Sequence, residues 1–107
     1  MSVSMVETWV VKPEYDIEHK QLWKEFLEYM RKNPELFKEI KSMNLYSQTF
    51  GNVSGAIVQV VEFESWAEKE NLDKRLKNST ECIKFHEELM QMKVVGSISM
   101  GAWETYI

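Results

Sequence analysis

The sequence predicts an α+β fold in which one antiparallel sheet carries helices on a single face. Three observations lead to this prediction: strand-like segments lie near both ends of the chain, two amphipathic helical segments lie between them, and a glycine-containing hairpin separates two further strands. With 107 residues, of which 44% are apolar, the chain is long enough for one hydrophobic core and too short for two. We therefore expect a single domain over residues 1–107.

The first half of the chain predicts a strand, a long helix and a short helix. The segment VETWVV belongs to a strand over residues 3–11, which ends before a proline because proline cannot donate to a ladder. Asp16 is expected to cap a helix whose apolar positions recur every three or four residues. Asn33 precedes a proline and predicts the start of a short helix that buries Phe37.

The second half predicts a hairpin, an interrupted helix and a closing strand. Strands over 44–50 and 56–63 flank the sequence GNVSG, which suits a turn with positive φ angles. The sequence SWAE, beginning at Ser65, has the pattern of a capping box and predicts a helix start. A polar stretch at 77–81 predicts that this helix pauses and restarts, and the last strand is expected over 94–107.

These elements follow the order β, α, β, β, α, β. Two βαβ-like halves joined by a hairpin describe the ferredoxin-like split, in which both helices cover one face of the antiparallel sheet. The other face is then open to solvent or to another molecule.

Alternation along the strands divides their side chains between these two faces. We expect small and branched residues, such as Val6 and Val60, to lie under the helices. The larger aromatic and polar residues are expected on the open face; they include Glu7, Trp9, Gln59, Phe63, Ser99 and Trp103. Because an apolar patch of this kind marks an interface or a ligand site, we expect a second copy to cover it in a homodimer with a barrel-like core. The sequence leaves assembly beyond the dimer open.

Composition and charge exclude several classes of partner. Seventeen acidic and thirteen basic residues give a formal charge of −4, and the basic residues are scattered, so we expect no nucleic acid partner. No stretch approaches roughly 18 consecutive apolar residues, and the sequence begins without the basic start of a secretory signal, so we expect no membrane association. The single cysteine, Cys82, fits a reducing compartment, and we expect a cytoplasmic protein.

Four segments give the chain a resemblance to a known superfamily: VETWVVKPE, LYSQTFGNVSGAIVQVVEFES, VVEFESWAEKENL and GAWETYI. In these segments, and in element order and length over essentially the whole chain, it resembles the dimeric α/β-barrel superfamily, which includes antibiotic-biosynthesis monooxygenases and haem-degrading monooxygenases. The resemblance implies a homodimeric barrel whose interior binds a hydrophobic ligand. It also implies that many members oxidise this ligand without flavin or metal, so no cofactor is expected.

The haem-degrading branch of that superfamily can be compared residue by residue. The resemblance implies an asparagine on the first strand, a tryptophan on the second helix, and an axial histidine ten residues further on. In this chain the histidine position is His86, but Leu76 occupies the tryptophan position and the first strand offers Thr8. Because two of the three features are absent, haem degradation is disfavoured.

Glu7 and His86 are the candidate catalytic residues. Glu7 beside Trp9 is a candidate general base for a phenolic substrate, because an acid among apolar groups can take up a proton. The alternative is that Glu7 is hydrated or paired with a lysine across the dimer. His86 is expected on the inner side of its helix as a base or ligand, or else as a hydrogen-bonded residue at the edge of the core. His19, in a first helical turn, is expected to be solvated.

Gln59 and Ser99 are candidates to bind a substrate oxygen, with Trp9, Phe63 and Trp103 around the ligand. A polar network that satisfies only itself is the alternative. No CxxC or HExxH spacing occurs, so the sequence predicts no metal site within one chain.

The preferred function is a small-molecule-binding protein that acts as a cofactor-independent monooxygenase on a small aromatic or hydrophobic substrate. The alternative is a non-catalytic ligand-binding or assembly module whose mixed sheet face is consumed by dimerisation. A haem binder through His86 is a third, less favoured interpretation. The sequence leaves open whether the protein is an enzyme.

Overall fold

A computed structural model describes residues 2–107, and in this range it contains four strands and three α-helices. Their bounds in chain order are β1 (Val3–Trp9), α1 (Asp16–Lys32), β2 (Ile40–Ser47), β3 (Ile57–Phe63), α2 (Trp66–Leu76), α3 (Thr80–Met92) and β4 (Ser99–Glu104). The strands form one antiparallel sheet in the order β2, β3, β1, β4. The predicted α+β, ferredoxin-like fold is therefore confirmed. Across residues 2–107, no helix combines the length and the apolar character needed to cross a membrane.

Two serines set the helix starts in the second half of the chain. Ser65 Oγ accepts a hydrogen bond from the Glu68 amide at 3.3 Å, as the capping-box pattern predicts. Ser79 Oγ accepts one from the Cys82 amide, also at 3.3 Å. Each serine satisfies an amide that has no acceptor within its own helix. The predicted interruption is confirmed, because α2 and α3 are separate helices joined at residues 77–79.

The hairpin between β2 and β3 is present, but β2 begins earlier than predicted. Gly55 has a φ of +86°, and its amide donates to the Gln48 carbonyl at 2.6 Å. Strand β2 starts at Ile40, which pairs with Phe63. This pairing leaves only a short 3₁₀ turn where a helix was expected after Asn33.

Neither of the two residues predicted as helix caps in the first half makes a side-chain capping hydrogen bond at a helix start. Asp16 is the first residue of α1, and Tyr15 at the cap position makes no side-chain hydrogen bond. Asp16 still carries its negative charge in the first turn, where the helix dipole favours it. Asn33 does precede a short 3₁₀ helix, Pro34–Phe37, which buries Phe37 as predicted, but its side chain donates to the Tyr29 carbonyl at the end of α1 at 2.8 Å.

The core lies between the sheet and the helices. One group of buried residues contains Val3, Phe37, Phe63, Leu72 and Cys82, and a second contains Trp9, Trp23 and Leu89. Aromatic side chains of α1 and α3 fill the space above them: Phe26 stacks on Phe85 with ring centroids 3.9 Å apart. Large side chains therefore pack the helices against one face of the sheet.

The face assignment predicted from the sequence is wrong. The helices cover the face that carries Glu7 and Trp9, and the sheet register adds Gln59 and Phe63 to the same face. On β1 and β3, the open face carries the smaller residues, with Val6 opposite Val60 and Thr8 opposite Val58. Ser99 pairs with Thr8 and Trp103 with Ser4, so these two residues do lie on the open face, as predicted.

Side-chain size explains this reversal. The interlayer space between helices and sheet is wide enough to enclose an indole, and Trp9 is 0% exposed there. Valines such as Val58 and Val60 keep the opposite face shallow, which allows another sheet to approach closely. Strand alternation fixes which residues share a face, but it does not decide which face the helices cover.

Candidate functional site

A cavity of about 310 Å³ lies between the helix-covered face of the sheet and the helices, and we call it the sheet-helix cavity. Most of its wall is apolar and is formed by Met5, Phe26, Met30, Phe37, Ile40, Met43, Val61, Phe63, Leu72, Leu76 and Met100. Its polar lining residues are Glu7, Gln59, Lys69, Asp73 and His86. An apolar wall with a few placed polar groups is typical of a small-molecule site.

The cavity brings together predicted site residues from three elements. Glu7 on β1 lies directly opposite Gln59 on β3, and Phe63 follows on the same face of β3. His86 reaches the cavity from α3. Neighbouring strands place Glu7 and Gln59 side by side because paired residues of an antiparallel ladder project to the same face.

The other predicted ligand-binding residues lie elsewhere. Trp9 is fully buried and packs against Trp23 and Leu89 instead of lining the cavity. Ser99 and Trp103 are on the open face, where Trp103 is 62% exposed. The single predicted site is therefore divided between the two faces of the sheet.

Glu7 forms an ion pair within its own chain. Lys93 Nζ lies 3.1 Å from Glu7 Oε2, and the Lys93 side chain is 3% exposed. The same ammonium lies 4.1 Å from the centroid of the Trp9 ring, within the range of a cation–π interaction. A buried cation is thus held between a carboxylate and an aromatic face, which compensates it for the loss of water. Glu7 is thus paired with a lysine, as the alternative interpretation predicts, but Lys93 belongs to the same chain.

His19 is buried, and its prediction as a solvated residue is wrong. Trp9 Nε1 donates a hydrogen bond to His19 Nε2 at 3.1 Å. Because an indole nitrogen only donates, this His19 nitrogen must be unprotonated. Burial lowers the pKa of His19, and the positive charge of Lys93 lowers it further, while Asp16 acts in the opposite direction. His19 is thus a neutral acceptor that fixes the Trp9 ring beneath Lys93.

The side-chain amide of Gln59 is available to hydrogen-bond a ligand. Its Nε2 lies 3.4 Å from Met43 Sδ, and a thioether is a weak acceptor. A ligand oxygen would be a better partner for this amide than the sulfur is. Gln59 is next to Glu7 in the register, so one polar ligand group could contact both side chains.

His86 lies at the mouth of the sheet-helix cavity. It is an exposed residue that still lines the cavity, so the prediction of an inner-facing His86 is only partly correct. Lys69 Nζ and Asp73 Oδ2 form an ion pair 2.6 Å apart at the same cavity. The mouth is therefore polar, while the inner wall is apolar apart from Glu7 and Gln59.

The sequence did not indicate the contacts of Lys93 and His19, or that Phe26 and Phe37 line the cavity. Lys93 follows the last turn of α3, where a basic residue ordinarily serves only the helix terminus. Its contact with Glu7 spans 86 positions of the chain and leaves no local pattern. Within residues 2–107, the structure holds no group of three or more His, Cys, Asp or Glu side chains arranged to bind a metal.

Comparisons with known proteins identify the fold without a sequence family. Protein-family models give no match to this chain, and curated proteins give none either. Solved structures do match, and they include antibiotic-biosynthesis-monooxygenase-like, NIPSNAP and dimeric ferredoxin-like proteins.

Three of these structures show how far the similarity extends. A NIPSNAP family protein from Agrobacterium tumefaciens aligns with a TM-score of 0.75 at 10% identity, over 97% of this chain and 85% of that one. SnoaB, a cofactor-independent oxygenase from Streptomyces nogalater, aligns with a TM-score of 0.68 at 8% identity, over 99% and 94%. A dimeric protein of unknown function with a ferredoxin-like fold, from Bacteroides fragilis, aligns with a TM-score of 0.64 at 14% identity, over 97% and 96%. The predicted resemblance is therefore confirmed at the level of the fold.

Proposed function

We propose that this protein binds a small aromatic or hydrophobic molecule in the sheet-helix cavity and oxygenates it without a cofactor. The observation that carries the proposal is the convergence of Glu7, Gln59 and His86 on a cavity whose wall is mostly apolar. The fold adds support, because the similar protein SnoaB is described as a cofactor-independent oxygenase.

The size of the cavity favours a substrate of one or two rings. Its volume of about 310 Å³ is near the lower end of the range for small-molecule sites. Haem does not fit this site: a tetrapyrrole is larger, and Leu76 lines the cavity at the position where the resemblance implies a tryptophan. The haem-binding interpretation therefore has no support from the geometry of the cavity.

Glu7 is the proposed general base, and it takes a proton from the substrate hydroxyl or an activated C–H group. The resulting electron-rich anion reacts directly with O₂, which inserts one oxygen atom and releases the other as water. For a methylene group beside the ring the balance is R₂CH₂ + O₂ → R₂C=O + H₂O, so substrate and O₂ supply all electrons. The ion pair with Lys93 holds the Glu7 carboxylate in place for this step.

The other predicted residues take different roles in this proposal. Gln59 hydrogen-bonds a substrate oxygen beside Glu7, and Phe63 forms part of the wall. His86 acts at the mouth, where it can exchange protons with solvent. Trp9 supports Lys93 from below and does not touch the ligand.

The open face is proposed to form a homodimer. Its centre is apolar, with Val6, Val58 and Val60, and large exposed side chains flank it, with Tyr46 at 55% and Trp103 at 62% exposure. Two such faces can pack about 10 Å apart to close a barrel-like core. The dimeric state of the similar Bacteroides protein supports this arrangement. The buried free thiol of Cys82 supports the further proposal of a reducing, cytoplasmic location.

One observation favours a non-catalytic binding or assembly module as the second candidate. Glu7 is already paired with Lys93, so its carboxylate could serve only to neutralise a buried ammonium. In that case Glu7 has no reaction to perform, and the open face provides the function by assembly.

Oxygen consumption separates the two candidates. We expect O₂ uptake with hydroxylated aromatic compounds of one or two rings, and a loss of about 100-fold in turnover for Glu7→Gln. Glu18→Gln, which changes an exposed acid on α1, is the matched control and should retain wild-type turnover. Equal activity in wild type and Glu7→Gln, with both variants folded by circular dichroism, would remove Glu7 from the mechanism. No uptake by the wild type across the panel would leave the non-catalytic module.

A further inference from the structure

A second, smaller cavity lies on the opposite side of α1 from α3, and we call it the α1-β2 cleft. Its volume is about 240 Å³, and α1 and the edge strand β2 form its two sides. The apolar surface comes from Trp23 and Leu27 on α1, Leu45 on β2, and Ile57 on β3. None of the residues proposed for oxygenation lines it, so it is distinct from the sheet-helix cavity.

The charges around the α1-β2 cleft are all basic or neutral. Lys20 and Lys24 line it, one helical turn apart, and its lining includes no carboxylate. This is unusual for a chain with a formal charge of −4. Within residues 2–107, neither lysine belongs to a salt bridge, whereas Lys69, Lys84 and Lys93 all do. Two neighbouring cationic side chains at the edge of an apolar cleft are complementary to an anion.

Trp23 adds an independent observation. The residue is 6% exposed, and its Nε1 is buried with no hydrogen-bond partner among residues 2–107. A buried indole N–H without an acceptor is destabilising, and a small acceptor such as a water molecule would satisfy it. Trp23 is therefore an incompletely satisfied part of the cleft wall.

We propose that the α1-β2 cleft is a second binding site, specific for an anionic amphiphile with an apolar body and a carboxylate head. Lys20 and Lys24 bind the carboxylate, and Leu27 and Leu45 contact the apolar body. The site is connected to Glu7 through direct contacts: His19 lines the cleft and accepts the Trp9 hydrogen bond, and Trp9 lies under Lys93. This proposal is independent of the oxygenation proposal, because the site consists of other residues and its ligand is an anion.

The test uses decanoate as the probe, with decanol as its neutral analogue and decyltrimethylammonium as its cationic one. Isothermal titration calorimetry on the full chain should show decanoate binding best, with an affinity that falls as salt is raised. The double variant Lys20→Gln/Lys24→Gln should weaken decanoate binding about tenfold and leave decanol nearly unchanged. The matched control Lys74→Gln/Lys77→Gln removes two exposed lysines of the α2 region and should bind decanoate like the wild type.

A filling variant tests the location. Leu27 is 42% exposed, so Leu27→Trp can be accommodated without disturbing the core, and it should abolish decanoate binding. Decanoate affinity that is equal in wild type and Lys20→Gln/Lys24→Gln overturns the proposal. So does decanoate binding that survives Leu27→Trp in a folded variant. If Lys20→Gln/Lys24→Gln instead changes the sedimentation mass without any effect on decanoate, the cleft is covered by a second copy and the proposal also fails.

Discussion

Lys93 places its ammonium 3.1 Å from Glu7 Oε2, although the Lys93 side chain is only 3% exposed. The pair joins the residue that follows α3 to β1, and its carboxylate partner, Glu7, lines the sheet-helix cavity. The buried ammonium of Lys93 requires an anionic partner, and the same ion pair positions the Glu7 carboxylate.

Removal of either charge alone should destabilise the protein. We expect Lys93→Met to lower the free energy of unfolding by about 2–4 kcal/mol, because Glu7 then loses its partner in a partly dry site. The double variant Glu7→Gln/Lys93→Met should be less destabilised than the sum of the two single changes. Urea unfolding of all four proteins gives the coupling energy. As a control, Lys84→Met breaks an exposed pair with Glu88 and should change stability very little. Losses of stability that simply add in the double variant would contradict the ion pair between Glu7 and Lys93.

His19 should make stability depend on pH. Its pKa in the folded protein is lowered from 6.5, so the stability it contributes is present above pH 6.5 and is lost as the pH falls through the lowered value. Protonation would place a donor against the Trp9 N–H and a positive charge near Lys93. Denaturant unfolding between pH 7.5 and 5.5 measures this loss.

A variant isolates the contribution of His19. His19→Gln supplies an acceptor that does not titrate, so its stability should fall less than that of the wild type over the same pH range. His86→Gln, which replaces the exposed histidine and leaves the Trp9–His19 hydrogen bond in place, is measured beside it as the matched control. If the free energy of unfolding falls equally with pH in the wild type and in His19→Gln, His19 is not the titrating group.

The open face should control the oligomeric state. Val60 lies at its centre, opposite Val6 in the register, and Val60→Lys would place a charge in the proposed interface. Sedimentation at micromolar concentration should give about twice the chain mass of 12.7 kDa for the wild type and the single mass for Val60→Lys. Ile17→Lys, at a residue 78% exposed on α1, should remain dimeric. A wild-type protein that is monomeric at these concentrations would contradict the dimer.

The sequence predicted the order of the elements because their patterns are local. The apolar spacing of α1, the serine cap at Ser65, the polar stretch at 77–81 and the glycine-containing hairpin each depend on residues close together in the chain. The boundary of β2 was less accurate, since pairing of Ile40 with Phe63 is a tertiary contact that overrides the local preference for a helix.

The candidate site was predicted only in part, because it too depends on tertiary contacts. Alternation correctly placed Glu7 and Trp9 on one face, and the register added Gln59. The choice between the two faces depends on how side-chain volumes fill the space under the helices, which strand alternation does not describe. The contact of Lys93 with Glu7 joins distant parts of the chain and has no local pattern either.

The methionines provide the most direct test of ligand binding in the sheet-helix cavity. Met5, Met30, Met43 and Met100 line it, whereas Met90 and Met92 do not. In a titration of methyl-¹³C-methionine protein with 2-naphthol followed by NMR, we predict that the four lining methyl resonances move together and saturate, while those of Met90 and Met92 stay in place. Lining resonances that remain unchanged at millimolar 2-naphthol, or movement confined to Met90 and Met92, would contradict a small-molecule site in this cavity.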